Sequence, residues 1–198
     1  YVMVVPAALP VRTAQDFIAL ALAKPGQLNY AALGNGSASH LAAELFASMA
    51  GIKLAHVPYK LVGSLLTDLI SGQVQLFFVG AVSAQVQIKV AKLRAIGVTG
   101  VKRSVLMPEV PTIAESGVSG YEVTGWYGVF VPAATPRPIV MQLNREIVRI
   151  LKLPEVRERL SAEGAELVGN TPQEFAAYIN GEIAKWSRVV KMSGARED

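Results

Sequence analysis

The chain has 198 residues, 52% of them hydrophobic, and a mean hydropathy of +0.37, enough apolar matter for one large domain or two small ones. No apolar run reaches the ~18 residues of a helical membrane span, and the absence of cysteine excludes disulfides, thiolate metal sites and cysteine nucleophiles. The net charge of +4 arises in residues 1–121, with 9 Lys/Arg against 5 Asp/Glu, whereas 122–198 carry 10 of each; the basic residues are scattered, which fits a small anionic ligand and argues against a nucleic-acid face.

Tyr1 to Val5 reads as a strand closed by Pro6 and Pro10, and a chain that opens inside a strand-like run predicts a fragment of a longer fold. Thr13 caps a helix over about 14–23, with Phe17, Ile18 and Leu22 on one face and Asp16 in the first turn. Leu28 to Leu33 is a short buried strand, and a helix follows over about 37–50, suggested by Leu41, Leu45, Phe46 and Met49 and stopped by Gly51. Leu54 to Val57 is a strand, and Gly63 to Ser71 a helix with Gly72 as its C-terminal cap. Val74 to Val79 is a strand, Ser83 to Val90 a helix, and Leu93 to Val98 a strand. Strands and helices that alternate on short connections predict a mostly parallel sheet covered on both faces. A turn-rich stretch with a short helix near Thr112–Glu115 leads to Tyr121–Val131, which reads as a long strand crossing between lobes. The remainder reads as helices over about 137–152 and 155–163, a short strand at Glu166–Val168, and a final helix. That last helix opens on the capping box Thr171-Pro172-Gln173-Glu174. Phe175, Ile179, Ile183, Trp186 and Val190 form its stripe, expected to pack on a core.

The stretch Tyr30-Ala31-Ala32-Leu33-Gly34-Asn35-Gly36-Ser37-Ala38-Ser39-His40 carries the chemistry. Strand, small-residue turn and helix leave the first helical amides without partners inside the helix, at the positive end of its dipole. Glycines admit an anion to the backbone, and the hydroxyls of Ser37 and Ser39 add donors, so the turn is a seat for a carboxylate or phosphate. The plainer reading is a tight turn with an ordinary N-cap. A dinucleotide fingerprint needs a third glycine where Ser39 stands, and a P-loop needs a lysine that is not there. Ligands of such sheets bind at the carboxyl ends of strands, where Gly34–Ser39, Tyr59–Gly63 and Val79–Val82 all fall.

A hydrolase would need a nucleophile, a base and an orienting acid. Ser37 and His40 share a helix face, but no acid is read nearby, and Asp68 is taken for a solvated charge. His40 is read as a packed or capping residue and His56 as structural. Two histidines and no cysteine argue against catalysis or a transition-metal site, so binding is the better reading. Trp126, between Gly125 and Gly128, is either core or the wall of a cleft; Tyr59 has the same two readings, its ring able to be core while its hydroxyl reaches a polar group, and Lys60 is either a carboxylate partner or, as the default, solvated.

An ordered set of segments carries a family resemblance: Lys24–Ala31, Gly34–Phe46, His56–Lys60, Lys92–Ser104, Pro108–Gly117, Gly120–Ala133 and Gly169–Phe175. Together they resemble the Bug-type receptors of tripartite tricarboxylate transporters, nearly end to end. The resemblance implies an α/β two-lobe fold of the periplasmic-binding-protein, or Venus flytrap, type. Residues 1–121 would form the second lobe, nearly complete. Residues 122–198 would form the hinge strand and C-terminal part of the first, whose leading part, with a proline- and glycine-rich loop, lies outside this chain. It implies a periplasmic protein, not an enzyme, that captures a small organic carboxylate without cofactor or metal and passes it to membrane transporter subunits. The implied ligand-binding residues are Gly34, Asn35, Gly36, Ser37 and Ser39 in the turn and Val79, Gly80 and Ala81 in the second loop, with Tyr59 and Trp126 beside them. An incomplete first lobe would expose apolar surface and favour self-association. Two departures stand out: Leu61 follows Pro-Tyr-Lys where the family usually has glycine, and Val79-Gly80 replaces an acidic position, pointing to a purely anionic or partly apolar ligand. The alternatives are an α/β hydrolase using Ser37 and His40, or a ligand-sensing domain.

Overall fold

The computed structural model describes residues 1–195; Asp198, one of the three aspartates, and its two predecessors lie outside them. Five strands, β1 (Val2–Pro6), β2 (Asn29–Ala32), β3 (Ala55–Pro58), β4 (Leu76–Val79) and β5 (Leu93–Val98), form one sheet in the order β3-β2-β4-β1-β5. Helices α1 (Ala14–Ala23), α2 (Ala38–Ala50), α3 (Val62–Ser71) and α4 (Ala81–Lys89) connect them, and α5 (Arg137–Leu151), α6 (Pro154–Ala162) and α7 (Pro172–Ser193) follow. The chain divides into two compact units: residues 1–125 with the tail from Arg188, and residues 126–187.

The local chemistry of the first unit follows its sequence closely. Thr13 Oγ1 accepts from the Asp16 amide and Asp16 accepts from the Thr13 amide, a reciprocal cap on α1. Gly51 and Gly72 end α2 and α3 in the left-handed region. One face of the sheet buries Val2, Val4, Ala31 and Phe77 against Leu65 and Leu69 of α3 and Ala84 of α4. On the other, Phe46 of α2 meets Phe17 of α1, Phe78 of β4 and Tyr121, with ring centroids 6.0–6.4 Å apart. Alternate strand residues thus serve two cores.

The sheet is mixed, not mostly parallel. β2 pairs in parallel with β3 and β4, but β1 lies between β4 and β5 and runs antiparallel to both. All five residues of β1 are buried, and an apolar run buried on both faces carries no signal of direction. A helix between two strands was read as a parallel crossover, yet α1 joins antiparallel strands.

The expected strand at Tyr121–Val131 is absent. Thr99 holds its start, where the Val123 amide donates to the Thr99 carbonyl and Thr99 Oγ1 donates to the Val123 carbonyl. Beyond it, residues 126–131 pair with no strand among the described residues, and β-propensity without a ladder leaves the backbone irregular. Glu166–Val168 is likewise not a strand, and Thr112–Glu115 forms a reciprocally capped turn without a helix. No residue of 126–187 is fully buried. The α7 stripe is therefore not core-packed as expected: Ile183 is 59% exposed, while Val189, one position off the stripe, is the buried residue of α7.

Close packing between β5 and the 111–118 turn generates a test. A Cβ on buried Gly97 would lie 2.8 Å from Ile113 Cγ1. Gly97→Ala should destabilise the first unit by about 1–3 kcal/mol, read as a lower denaturant midpoint; an unchanged midpoint would show that Ile113 yields freely.

Candidate functional site

β2, β3 and β4 are mutually parallel neighbours, so the loops leaving them emerge at one end of the sheet. α2, α3 and α4 begin there, with Ser37, Leu61 and Gly80 as N-caps. Only Ser37 contributes a side-chain cap; α3 and α4 have none.

The turn after β2 is built around two glycines in the left-handed region, Gly34 (φ +87°) and Gly36 (φ +71°), a conformation that L side chains resist. Ser37 Oγ accepts the His40 amide at 3.3 Å and donates to the Gly34 carbonyl at 2.9 Å. Ser39 Oγ accepts the Leu33 amide at 3.1 Å and lies 3.1 Å from Ser37 Oγ. Because the Ser37 proton goes to Gly34, Ser39 is the donor in that pair. Both hydroxyl protons are thus spent inside the turn, where the sequence expectation had them as donors to a ligand; as placed here the serines hold the turn. The helical ladder offers the amides of Ala38 and Ser39 no carbonyl, whereas the Gly36 amide donates to His40 Nδ1 at 3.0 Å. Asn35 is exposed and Ser39 buried.

Val79, Gly80 and Ala81 are half-buried at the start of α4. Tyr59 packs its ring against the α3 core and donates its hydroxyl to Asp68 Oδ2 at 2.7 Å. Burial, then that bond, pushes the phenol up to about 12. Asp68 is therefore a half-buried acceptor, not the free surface charge expected. Lys60 is exposed. Trp126 belongs to the second unit, where its ring meets Phe175 and Tyr178 edge-on at 5.5 and 5.7 Å.

Sequence reasoning missed the cluster beneath the turn. Tyr30 and His56 are register partners on β2 and β3, with rings 5.0 Å apart, and His40 stacks on His56 at 4.1 Å and 10°. Tyr30 donates to Glu44 Oε1 at 2.5 Å. Glu44 stands one turn after His40, so an acid does lie nearby; the i,i+4 spacing was the signal. The hydrolase arrangement is not formed: Ser37 Oγ meets the His40 main-chain amide, and the imidazole Nδ1 is taken by Gly36.

Two recesses of about 180 and 420 Å³ lie at the other end of the sheet, around Pro6–Val11. Arg94 there donates to the carbonyls of Ala7, Leu9 and Val11 and Asp16 caps α1, while Arg12 is exposed. The helix-start end is the better candidate. Among the described residues no His, Cys, Asp or Glu side chains group as a metal would require, and no helix is long and apolar enough to cross a membrane.

The model for the tripartite tricarboxylate transporter family receptor matches residues 1–195. The chain belongs to this family. It is 37% identical over 190 residues to a protein of the tcbD-tcbE intergenic region of Pseudomonas sp. strain P51, covering 96% of this chain and 56% of that protein. A solved R. palustris protein with adipate superposes with a TM-score of 0.82 at 35% identity, covering 98% of this chain and 65% of that one. MatC from Rhodopseudomonas palustris with bound malate gives a TM-score of 0.74 at 29% identity, covering 96% and 65%. The α/β architecture is thus that of this receptor's binding-protein relatives over about two thirds of the solved chains, and the family is one of receptors, not enzymes.

The imidazole stack carries a stability signature. Burial lowers His40 below 6.5, partly offset by Glu44, and burial together with His40 pushes His56 down to about 4. A histidine lowered on folding protonates first in the unfolded chain, so its stabilising neutrality is complete above pH 6.5 and is lost as the pH falls towards about 4. His56→Phe keeps a ring against His40 and Tyr30 without that titration. Its Tm should fall less than wild type's across this window; equal slopes would remove His56 as the source.

Proposed function

We propose that this receptor-family chain is the ligand-binding part of an extracytoplasmic, periplasmic solute-binding protein. It captures a small organic carboxylate, of the di- or tricarboxylate class or a related anion, and delivers it to the membrane subunits of a tripartite tricarboxylate-type transporter. The observation that carries the reading is the turn at Gly34–Ser39, braced from within by its own serines at the start of α2, where the helical ladder offers the first amides no carbonyl. Preformed amides at the positive end of a helix attract an anion without a cationic side chain. Val79, Gly80 and Ala81, at the uncapped start of α4 on the neighbouring strand, supply a second set of amides from the same sheet end. Tyr59 contributes a ring edge, its hydroxyl being committed to Asp68. The relatives solved with adipate and malate support the substrate class.

Titration calorimetry with adipate, malate and an aromatic carboxylate tests this. Saturable heat without turnover is expected for at least one, with Ser37→Ala weakening it by about fivefold, since loss of an N-cap costs about 1 kcal/mol. Gly36→Val should weaken it more, because a β-branched residue at positive φ costs at least about 1–2 kcal/mol. No Cβ contact lies within 4 Å of Gly36, so the effect would be conformational. Folded variants that bind all three probes as wild type does would remove the turn from the site.

We also propose that the chain self-associates through residues 126–187. Tyr127, Val129, Phe130 and Ile183 there are 59–103% exposed, and apolar surface of that kind drives association. Sedimentation should show mass rising with concentration; a monomer throughout contradicts it.

A further inference from the structure

The amide contacts proposed above leave His40 unassigned, although it lies inside the turn that makes them. His40 is 4% exposed in the first turn of α2, and its Nδ1 accepts the Gly36 amide at 3.0 Å. A nitrogen that accepts carries no proton, so the neutral ring holds its hydrogen on Nε2. Gly36 is one of the two left-handed residues that shape the turn, and this bond fixes its peptide from the inside. The titratable groups facing His40 among the described residues come from three elements. Tyr30 on β2 lies 6.1 Å away and nearly parallel, His56 on β3 stacks at 4.1 Å, and Glu44 stands one turn on along α2, with its Oε1 taken by the Tyr30 hydroxyl. His56 Nε2 is buried without a partner.

We propose that His40 is a positioning residue that makes the anion seat proton-sensitive: neutral, its Nδ1 pins the Gly36 amide and the left-handed turn; protonated there, it sets donor against donor and releases the turn. No bond is made or broken beyond transfer of one solvent proton to Nδ1. The released turn loses the preorganisation that lets the α2 amides meet an anion together. Burial keeps His40 neutral near neutral pH and Glu44 opposes it, so the transition falls on the acid side of the ordinary imidazole range.

The affinity arm of the test rests on the carboxylate-binding reading; the structural arm does not. In the 15N-labelled chain, the Gly36 amide resonance is followed from about pH 7.5 to about pH 5, and adipate affinity is measured in parallel. His40→Asn sets Oδ1 near the place of Nδ1, keeping the acceptor and abolishing the titration, whereas His40→Gln carries its acceptor one bond too far. Wild-type Gly36 should shift along one titration curve below pH 6.5, and His40→Asn should hold it still. The ratio of wild-type to His40→Asn affinity cancels adipate's own protonation. That ratio should sit near unity at neutral pH and fall about fivefold at the acid end, with His40→Gln weak throughout. A Gly36 resonance that ignores pH, or that moves equally in His40→Asn, overturns the inference, as does a constant affinity ratio. If His40→Asn fails to fold, the wild-type Gly36 curve alone decides. Absence of binding of adipate, malate and the aromatic carboxylate alike in wild type, with Gly36 still titrating, sinks the carboxylate reading and leaves the proton-sensitive turn standing.

Discussion

The parallel pairing of β2 with β3 on one side and β4 on the other is the constraint from which the site follows. Parallel neighbours end on the same side of a sheet, so the helices that leave them start together, with their unsatisfied amides at one end. The antiparallel β1 shows the contrast. Its outgoing loop emerges at the other end, where Arg94 gathers three carbonyls into a closed structural clamp. Register does more than choose an end. The pairing of Tyr30 with His56 places an aromatic ring and an imidazole side by side, directly where the first turn of α2 lowers His40 onto them.

That stack explains why the turn is rigid without any charge in it. Tyr30 and His40 are essentially buried, and both are satisfied: the phenol by Glu44, the imidazole Nδ1 by Gly36. A buried polar group is costly mainly when unpaired. The exception is His56 Nε2, and its neutrality is the least expensive state left to it. The glycine turn is thus braced from above by Ser37 and Ser39 and from below by His40. Apart from the Ser37–Ser39 hydroxyl pair, each of these braces is a hydrogen bond to backbone.

Much of the first unit was legible in the sequence because its signals are local. The Thr13–Asp16 cap, the ends at Gly51 and Gly72, and the glycine turn with Ser37 before α2 all depend on residues within a few positions of one another. What failed depends on partners distant in sequence. The direction of β1 is set by β4 and β5, which an apolar run cannot name. Residues 126–131 have strand propensity, but a strand exists only with a ladder, and none of the described residues provides one. In the site, the glycines and a serine cap on α2 were readable, whereas the caps of α3 and α4 and the orientation of the serine protons were not. Whether a hydroxyl faces a ligand or its own turn depends on the Gly34 carbonyl and the Leu33 amide, fixed only once the turn closes.

The charge distribution sharpens what such a seat can discriminate. The excess of basic residues in 1–121 is spread over the unit, and Lys60, the lysine next to one of the three loops, points to solvent. Of the acids near the turn, Glu44 is tied to Tyr30 and Asp68 to Tyr59. On the proposed reading, an anion at this sheet end would meet oriented amides of this chain, with Lys60 exposed and Glu44 and Asp68 already hydrogen-bonded. Amide dipoles act over short distances and demand alignment, whereas a surface lysine attracts any anion over a Debye length. On the same reading, this chain's contribution to discrimination among carboxylates would be the spacing of the amides at the α2 and α4 starts and how well a ligand's oxygens span them. That spacing is set by the β2–β4 ladder, which returns selectivity to the same parallel pairing that created the site.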